Sequence, residues 1–260
     1  MKYWNEWRQL AKLSFSTFLA HRLDSGTFFI GKLVRAFGFG AFIYAIFYST
    51  PNLGGYSRAE ALIFFLTFNL IDTVSQAFWR GIYNFGHDVN RGVFDFTLTK
   101  PINALFYSLM RTADILDGIL LLLYGAAFGY VLLELPQVIT RASVGRYVLM
   151  FICGILLSLT LHIFSAALSL FTLQSENIIW LYRRTMMVGY FPDSILPVIW
   201  QMLFTYILPV IIIVSYPARA LLSNLNIIDI LRAWSILAVF LIGSLYAWKY
   251  ALRRYDSASS

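Results

Sequence analysis

Five polar or charged side chains recur on one side of an otherwise apolar stretch near residues 59–80. Their spacing of i, i+3, i+4, i+7 and i+11 places them on one face of a helix. These residues are Asn69, Asp72, Thr73, Gln76 and Arg80. An ionisable group such as Asp72 inside an apolar helix must face protein or water. The stripe therefore predicts either a polar wall of a translocation path or hydrogen bonds to a neighbouring helix.

A second group of charges opens the next long apolar stretch. Arg111 and Asp114 have the spacing for pairing along one helix. Asp117 lies deeper, and we expect it to need a partner such as Arg80. Two interpretations stay open, a structural cluster of salt bridges or a proton relay of the kind that a secondary transporter uses.

Signatures of enzyme and metal sites are absent from the sequence. It contains no G-x-x-x-x-G-K-[ST] phosphate loop and no G-x-S-x-G elbow. The three histidines, His21, His87 and His162, lack the spacing of a zinc site. We interpret His162 and the single cysteine, Cys153, as packing residues. We therefore predict no catalytic residue, metal ion or cofactor in this chain.

The composition predicts that these residues are carried by membrane-spanning helices. The 260 residues are 59% hydrophobic and only 13% charged, whereas soluble domains carry roughly 25% charged residues. Stretches long enough to cross a bilayer should be helical, because lipid offers the backbone no hydrogen-bond partner. We predict an all-α integral membrane protein, a single domain over 1–260 with six spans. The spans are placed near 28–50, 59–80, 105–133, 144–172, 195–215 and 228–250.

The first residues predict an amphipathic helix over 4–23. Trp4, Trp7, Ala11, Phe15, Phe18 and Leu19 share its apolar face, and basic residues lie on the others. Tryptophan and basic residues together favour a helix at the headgroup level, and a solvated leader is the alternative. No cleavable signal peptide is expected. Lys32 and Arg35 at the start of the first span are expected to snorkel to the near interface.

The basic residues predict the orientation. With both termini inside, 15 of the 20 lysines and arginines lie on the cytoplasmic side and 5 outside, as the positive-inside rule requires. The outer five are Arg58, Arg141, Arg146, Arg219 and Arg232. The basic residues behind the net charge of +7 flank the apolar segments and do not cluster on one soluble surface, so no nucleic-acid surface is predicted.

The cytoplasmic segment 81–104 combines chain breakers with apolar residues. Val93, Phe94, Phe96 and Leu98 have no evident role in a solvated linker. They suit a short helix that docks on a partner or on the membrane surface. The alternative is a loop that folds back on this chain's own helices.

Three sequence elements resemble one known family. The run Arg91-Gly92-Val93-Phe94-Asp95-Phe96-Thr97-Leu98-Thr99-Lys100-Pro101 resembles the R-G-x-[FL]-D-x-x-L-x-[KR]-P loop of bacterial ABC exporter permeases of the type-2 class. The last residues, 252–259, resemble the L-x-R-Y-x-S-A ending of a six-span subfamily. Tyr206–Pro209 and Tyr216–Ala218 resemble its Y-x-x-P and Y-P-A elements.

The resemblance implies a permease subunit in the bacterial cytoplasmic membrane. Two such chains, identical or related, would form the path, and a separate ATP-binding-cassette subunit would bind ATP and magnesium. The N-terminal helix and the first cytoplasmic segment would contact that ATPase. The implied coupling residues are Asp88, Arg91, Gly92, Phe94, Asp95, Leu98, Lys100 and Pro101.

The leading hypothesis is thus an ATP-driven exporter of an amphiphilic or lipid-like cargo. A proton-coupled secondary transporter that uses Asp72, Asp114 and Asp117 is the alternative, although the sequence lacks the repeated halves common in such folds. A membrane enzyme acting on lipid would need a convergent catalytic group, which the sequence does not provide.

Overall fold

A computed structural model describes residues 2–20, 22–114, 116–135, 138–172, 176–222 and 225–255. Within these ranges the chain is helical and contains no β-strand. The first half comprises α1 Lys2–Ala20, α2 Arg22–Ser49, α3 Arg58–Trp79, α4 Ile82–Asn90, α5 Val93–Leu98 and α6 Ala104–Met110. The second half comprises α7 Leu116–Leu133, α8 Arg141–Ser169, α9 Glu176–Met186, α10 Val198–Tyr206, α11 Val210–Leu221 and α12 Ile227–Arg253. Two 3₁₀ turns, Met187–Tyr190 and Asp193–Ile195, lie between α9 and α10.

Five described helices are long and apolar enough to cross a membrane, namely α2, α3, α7, α8 and α12. Helices α10 and α11 meet the same requirement only as a pair, and they are bent by 101° at the break between them. The predicted fold class, an all-α integral membrane protein, is therefore confirmed.

Helix α3 lies at the centre of the bundle. It begins at a capping box, in which the Ser57 backbone N–H donates to Glu60 at 2.8 Å and the Ser57 hydroxyl accepts from the Glu60 N–H at 3.5 Å. Its apolar residues, including Phe64 and Ile71, are almost fully buried. A Cβ at Gly154 of α8 would come within 2.5 Å of the Ile213 carbonyl oxygen of α11. Only glycine permits this approach of α8 to α11 beside α3.

Two predicted spans differ from the structure. The third was placed at 105–133, but α6 ends at Met110 and α7 begins at Leu116, because the polar residues around Arg111 and Asp114 interrupt the helix. The fifth was placed at 195–215, and that range contains the 101° bend between α10 and α11. Pro209 at the start of α11 cannot donate a backbone hydrogen bond, which favours a break there.

The segment 183–194 runs along α3 in the opposite direction. Arg183 pairs with Asp72 in the second half of α3. Tyr190 packs on Phe68, with ring centroids 4.3 Å apart. Ser194 donates to the Gly54 carbonyl in the loop before α3 at 2.6 Å. Residues 183–194 therefore follow α3, while α9 begins beside α4, where Trp180 meets Tyr83 at 5.8 Å between centroids. We call residues 176–195 the α9 crossing segment.

Helix α1 packs against the end of the bundle where α3 finishes, which we call the Arg80 end. Trp7 stacks on Phe78 with centroids 5.3 Å apart, and the Ala113 N–H donates to the Ser14 hydroxyl at 3.2 Å. Trp4 and Phe15 of the predicted apolar face are exposed. The Phe18 and Leu19 side chains lie outside the described part of the chain. Tyr3 of α1 also packs on Phe106 of α6 with centroids 4.9 Å apart. Helix α1 thus rests on α3, on α6 and on the residues after α6, and it exposes other aromatic residues.

Candidate functional site

Helices α4 and α5 form a short bracket at the Arg80 end, within the predicted coupling segment 81–104. The Gly81 N–H donates to the Leu109 carbonyl at 2.9 Å, which fixes the start of the bracket to α6. Gly92 separates the two helices with a left-handed φ of 69°, a conformation that side chains disfavour and glycine adopts freely. The bracket is therefore a pair of helices with a fixed corner, in place of a flexible loop.

Phe94 anchors the bracket to the last helix of the chain. Its side chain is 1% exposed. Its ring meets Phe85 of α4 at 5.1 Å and Tyr255 after α12 at 5.3 Å between centroids, and Trp248 of α12 at 6.2 Å. The expectation that Phe94 docks on a partner needs correction, because its apolar surface is already used inside this chain.

Asp95 adds a polar contact to the same junction. Its carboxylate accepts a hydrogen bond from the Tyr255 hydroxyl at 3.0 Å. Together with Phe94, this contact joins α5 to the end of α12. Asp95 therefore connects two elements of this chain, and its carboxylate is half-buried.

An ion pair between Asp88 of α4 and Arg111, the residue after α6, also holds the bracket, at 2.6 Å. Burial raises the pKa of Asp88, and the Arg111 guanidinium opposes that rise. The sequence predicted that Arg111 pairs with Asp114 along one helix. This expectation is wrong, since the helix breaks after Met110 and Arg111 turns to α4.

One side of the bracket remains uncovered. The exposed apolar and basic side chains, with the proline that ends the segment, are those of Arg91, Val93, Phe96, Leu98, Lys100 and Pro101. Phe96 is 71% exposed, in contrast to the buried Phe94 two residues earlier, on the opposite side of the helix. Lys100 donates to the Tyr107 hydroxyl at 2.8 Å, which holds the end of the bracket against α6. We call these six residues the docking surface.

A four-residue ion cluster lies beside the bracket. Lys32 of α2 contacts both Asp114, at 2.7 Å, and Asp117. Arg80 contacts the same carboxylates at 2.7 and 3.8 Å, so the expected pairing of Arg80 with Asp117 is the weaker of its two contacts. Lys32 is 5% exposed and does not snorkel. The charges of the two cations and the two carboxylates sum to zero. This geometry favours a structural cluster over a proton relay.

The polar side chains of the α3 stripe have different hydrogen-bond partners. The Asn69 amide donates to the Phe65 carbonyl of its own helix at 2.7 Å. Gln76 donates to Asp72 at 2.7 Å, and the same carboxylate oxygen lies 3.4 Å from the Arg183 guanidinium. The contact with Arg183 of α9 favours the helix-packing interpretation for Asp72, whereas the bonds of Asn69 and Gln76 stay within α3.

His162 is also a packing residue in the structure. Its Nδ1 lies 2.7 Å from the Ser158 carbonyl oxygen. The ring sits between Trp79 and Tyr182, at 5.7 and 4.7 Å between centroids. Among the described residues no group of histidine, cysteine and carboxylate side chains is arranged to hold a metal ion.

A mid-bundle exposed face was missed by the sequence reasoning. On α2, Arg35, Gly38 and Phe42 are exposed at i, i+3 and i+7 and line an open groove with Phe39. On the α9 crossing segment, Trp180 and Arg184 of α9 and Met187 of the following 3₁₀ turn are exposed at i, i+4 and i+7. The two elements adjoin, since Phe39 stacks on Tyr190 at 4.5 Å between centroids. Arg35 and Arg184 could have indicated this face from the sequence, because both are basic residues close to apolar stretches. The sequence did not predict, however, that residues 183–194 run beside α3.

Comparison with known proteins gives one result. The sequence model of a family described as ABC-2 family transporter protein matches residues 34–259, which is most of the chain. No curated protein and no solved structure gave a significant match.

Proposed function

Because this chain belongs to the ABC-2 family of transporter proteins, and is thus the membrane permease part of an ABC transporter, we propose that it exports an amphiphilic or lipid-like cargo. A separate ATP-binding-cassette subunit supplies the energy. That subunit binds the ATP and magnesium, since this sequence has no phosphate loop. The permease is non-catalytic and works in the bacterial cytoplasmic membrane, with both termini and the Arg80 end in the cytoplasm.

The bracket is the observation that carries this proposal. A permease without a nucleotide site must receive its conformational drive through a contact surface. The docking surface offers exposed apolar side chains, Phe96 and Leu98, beside two basic ones, Arg91 and Lys100. The helices that carry it are joined to α6 through Gly81 and to α12 through Phe94. A displacement of the docking surface is therefore transmitted to two parts of the bundle.

A second permease chain completes the path in this proposal. Arg35 is exposed within a membrane-spanning helix, and a guanidinium facing lipid there is costly. A second copy across the exposed face of α2 and α9 removes that face from lipid and leaves a polar path between the chains. The partner chain is identical or related, and the ion pairs of Asp72, Asp114 and Asp117 give no support to a carboxylate proton relay.

The test is co-purification of the permease with its ATPase, followed by hydrolysis measurements in nanodiscs. The variant Phe96→Ala with Arg91→Glu removes an apolar anchor and reverses a charge on the docking surface. Loss of an interface anchor costs more than about 1 kcal/mol when it is a hot spot. We expect ATPase co-purification to fall at least fivefold while the thermal stability of the permease stays unchanged.

A matched control is Val138→Ala with Arg141→Glu, which changes an exposed apolar residue and an exposed arginine at the opposite end of the bundle. This control should bind the ATPase as the natural chain does. A docking-surface variant that binds and stimulates the ATPase normally would exclude the bracket as the coupling element. If no ATPase co-purifies with the natural chain, the proposed function is excluded.

A further inference from the structure

Arg35 lies near the middle of the membrane-spanning part of α2. Phe28 of α2 lies 4.9 Å from the Arg80 guanidinium, at one end of α3. Tyr44 of α2 lies 4.8 Å from the Arg58 guanidinium, at the other end. At about 1.5 Å per helical residue, Arg35 is about 10 Å beyond the first contact and about 13 Å before the second.

Arg184 lies at a similar depth on the α9 crossing segment. The preceding residue, Arg183, pairs with Asp72. Asp72 is seven residues before the last residue of α3, Trp79, which corresponds to about 10 Å along the helix. Both Arg35 and Arg184 are therefore placed about 10 Å from the Arg80 end, on two adjoining elements.

Neither guanidinium has an anionic partner among the described residues. Lys32, Arg80 and Arg183, which are nearby basic residues, each pair with a carboxylate. Arg35 and Arg184 form no such pair and are exposed. The geometry thus separates the basic residues into paired structural ones and two that face the proposed path.

A second copy of the chain would not neutralise them. Of the 13 carboxylates in the sequence, only Asp72 lies beyond the first turn of a long membrane-spanning helix, and it is engaged by Arg183. Two copies facing each other would therefore place four arginine side chains around one path at mid-depth. Guanidinium groups bind phosphate and carboxylate through two parallel hydrogen bonds and keep their charge at any physiological pH.

The same face also carries apolar and aromatic surface. Phe42 is 53% exposed on α2, and Trp180 is 54% exposed on α9. A small anion without an apolar part would make no favourable contact with these side chains, whereas an acyl chain packs against them favourably. A cationic head group would meet four like charges at low dielectric, which is unfavourable.

We infer that Arg35 and Arg184 form an anion-recognition site in the path, and that the cargo is an amphiphile with an anionic head group. This inference rests on the proposed function for the path between two chains. It does not depend on how the ATPase binds, because the site is on the membrane-embedded face and the docking surface is at the Arg80 end.

The test measures binding of probes to the full-length permease in phosphatidylcholine nanodiscs, by native mass spectrometry. The probes are lysophosphatidylglycerol, lysophosphatidylcholine of the same acyl chain, and glycerol phosphate without a chain. We expect the natural chain to bind the anionic lysolipid at least tenfold more tightly than either of the others. Arg35→Gln should reduce that preference about tenfold, which corresponds to about 1.4 kcal/mol. Arg35→Lys should retain part of it.

The matched control is Arg141→Gln at the exposed start of α8, which should leave the preference unchanged. Equal binding of the two lysolipids, or an unchanged preference in Arg35→Gln, would overturn the inference. Equally tight binding of glycerol phosphate would overturn the amphiphile part. ATPase co-purification is measured on the same preparations, so that its failure counts against the proposed function while the binding result still decides the inference.

Discussion

Asp72 of α3 and Arg183 of α9 form an ion pair across 111 residues of sequence, with 3.4 Å between the carboxylate and the guanidinium. Both side chains are largely buried, at 13% and 16% exposure. Gln76 and Tyr83 complete the group, since Gln76 donates to Asp72 and Arg183 donates to the Tyr83 hydroxyl at 3.1 Å. This pair fastens the α9 crossing segment to the central helix.

Removal of one partner of this pair should therefore destabilise the protein more than removal of both. We expect Asp72→Leu to cost about 3–5 kcal/mol, because it leaves the Arg183 guanidinium buried without a counter-charge. Asp72→Asn should be milder, since the amide oxygen still accepts from Gln76. The double variant Asp72→Leu with Arg183→Met should recover most of the loss. Thermal unfolding in nanodiscs measures all three, and wild-type stability and expression of Asp72→Leu would disprove a structural role for the pair.

Truncation of Phe94 should destabilise the protein, whereas truncation of Phe96 should not. Phe94→Ala opens a cavity between α4, α5 and α12, and such a change costs about 3–5 kcal/mol. Phe96→Ala removes a side chain that is 71% exposed, so the free energy of unfolding should barely change. Thermal unfolding of the two variants is the measurement. Equal stabilities would contradict the anchoring of α5 on Trp248 and Tyr255.

The Asp88–Arg111 pair predicts a pH effect. The pKa of Asp88 is raised in the folded protein, so the folded state holds this proton more tightly than the unfolded chain does. The contribution of Asp88 to stability therefore falls as the pH rises through the interval above the ordinary carboxyl pKa. Arg111→Gln removes the main opposing charge, which raises the pKa of Asp88 further and widens that interval.

We expect the melting temperature of Arg111→Gln to fall more steeply than that of the natural chain as the pH rises above the ordinary carboxyl pKa. The control is Asp88→Asn with Arg111→Gln, in which the extra slope should disappear. An identical pH slope in Arg111→Gln and the natural chain would show that Asp88 and Arg111 are not energetically linked.

The proposed orientation predicts which engineered cysteines an impermeant thiol reagent reaches from outside. Asn52 lies in the exposed loop before α3, and Asn90 ends α4 at the opposite end of the bundle. We expect Asn52→Cys to be labelled in intact cells and Asn90→Cys to be labelled only after permeabilisation. Cys153 is fully buried, which keeps the background low. Labelling of Asn90→Cys in intact cells would reverse the assigned sides. Ser223, a third site suggested by the sequence, is outside the described residues.

Local periodicity was sufficient to predict the polar stripe of α3 and that Asp72 faces protein or water. The partner of Asp72 was not predictable in the same way, because Arg183 lies in a helix of only 11 residues with low hydropathy. A span search passes over such a segment. The fifth crossing was therefore placed on the more apolar residues that follow, which the structure shows as a bent pair of helices.

The bracket shows a second limit of sequence reasoning. Helix α5 has only six residues, which is too short for a hydrophobic period to separate its inner and outer faces. Phe94 and Phe96 therefore looked equivalent. Their difference is decided by Trp248 and Tyr255, more than 150 residues later in the chain, and only the tertiary structure brings these residues together.

The junction of Phe94 with the end of α12 has a mechanical consequence. Helix α12 is an unbroken rod of 27 residues, about 40 Å long, and its far end carries Arg232 beside the bent pair α10–α11. If α8 acts as a pivot midway along the rod, a tilt of about 5° displaces each end by about 2 Å in opposite directions. With such a pivot, a displacement of about 2 Å at α5 would reach the bent pair α10–α11 at the other end of α12 in the opposite direction.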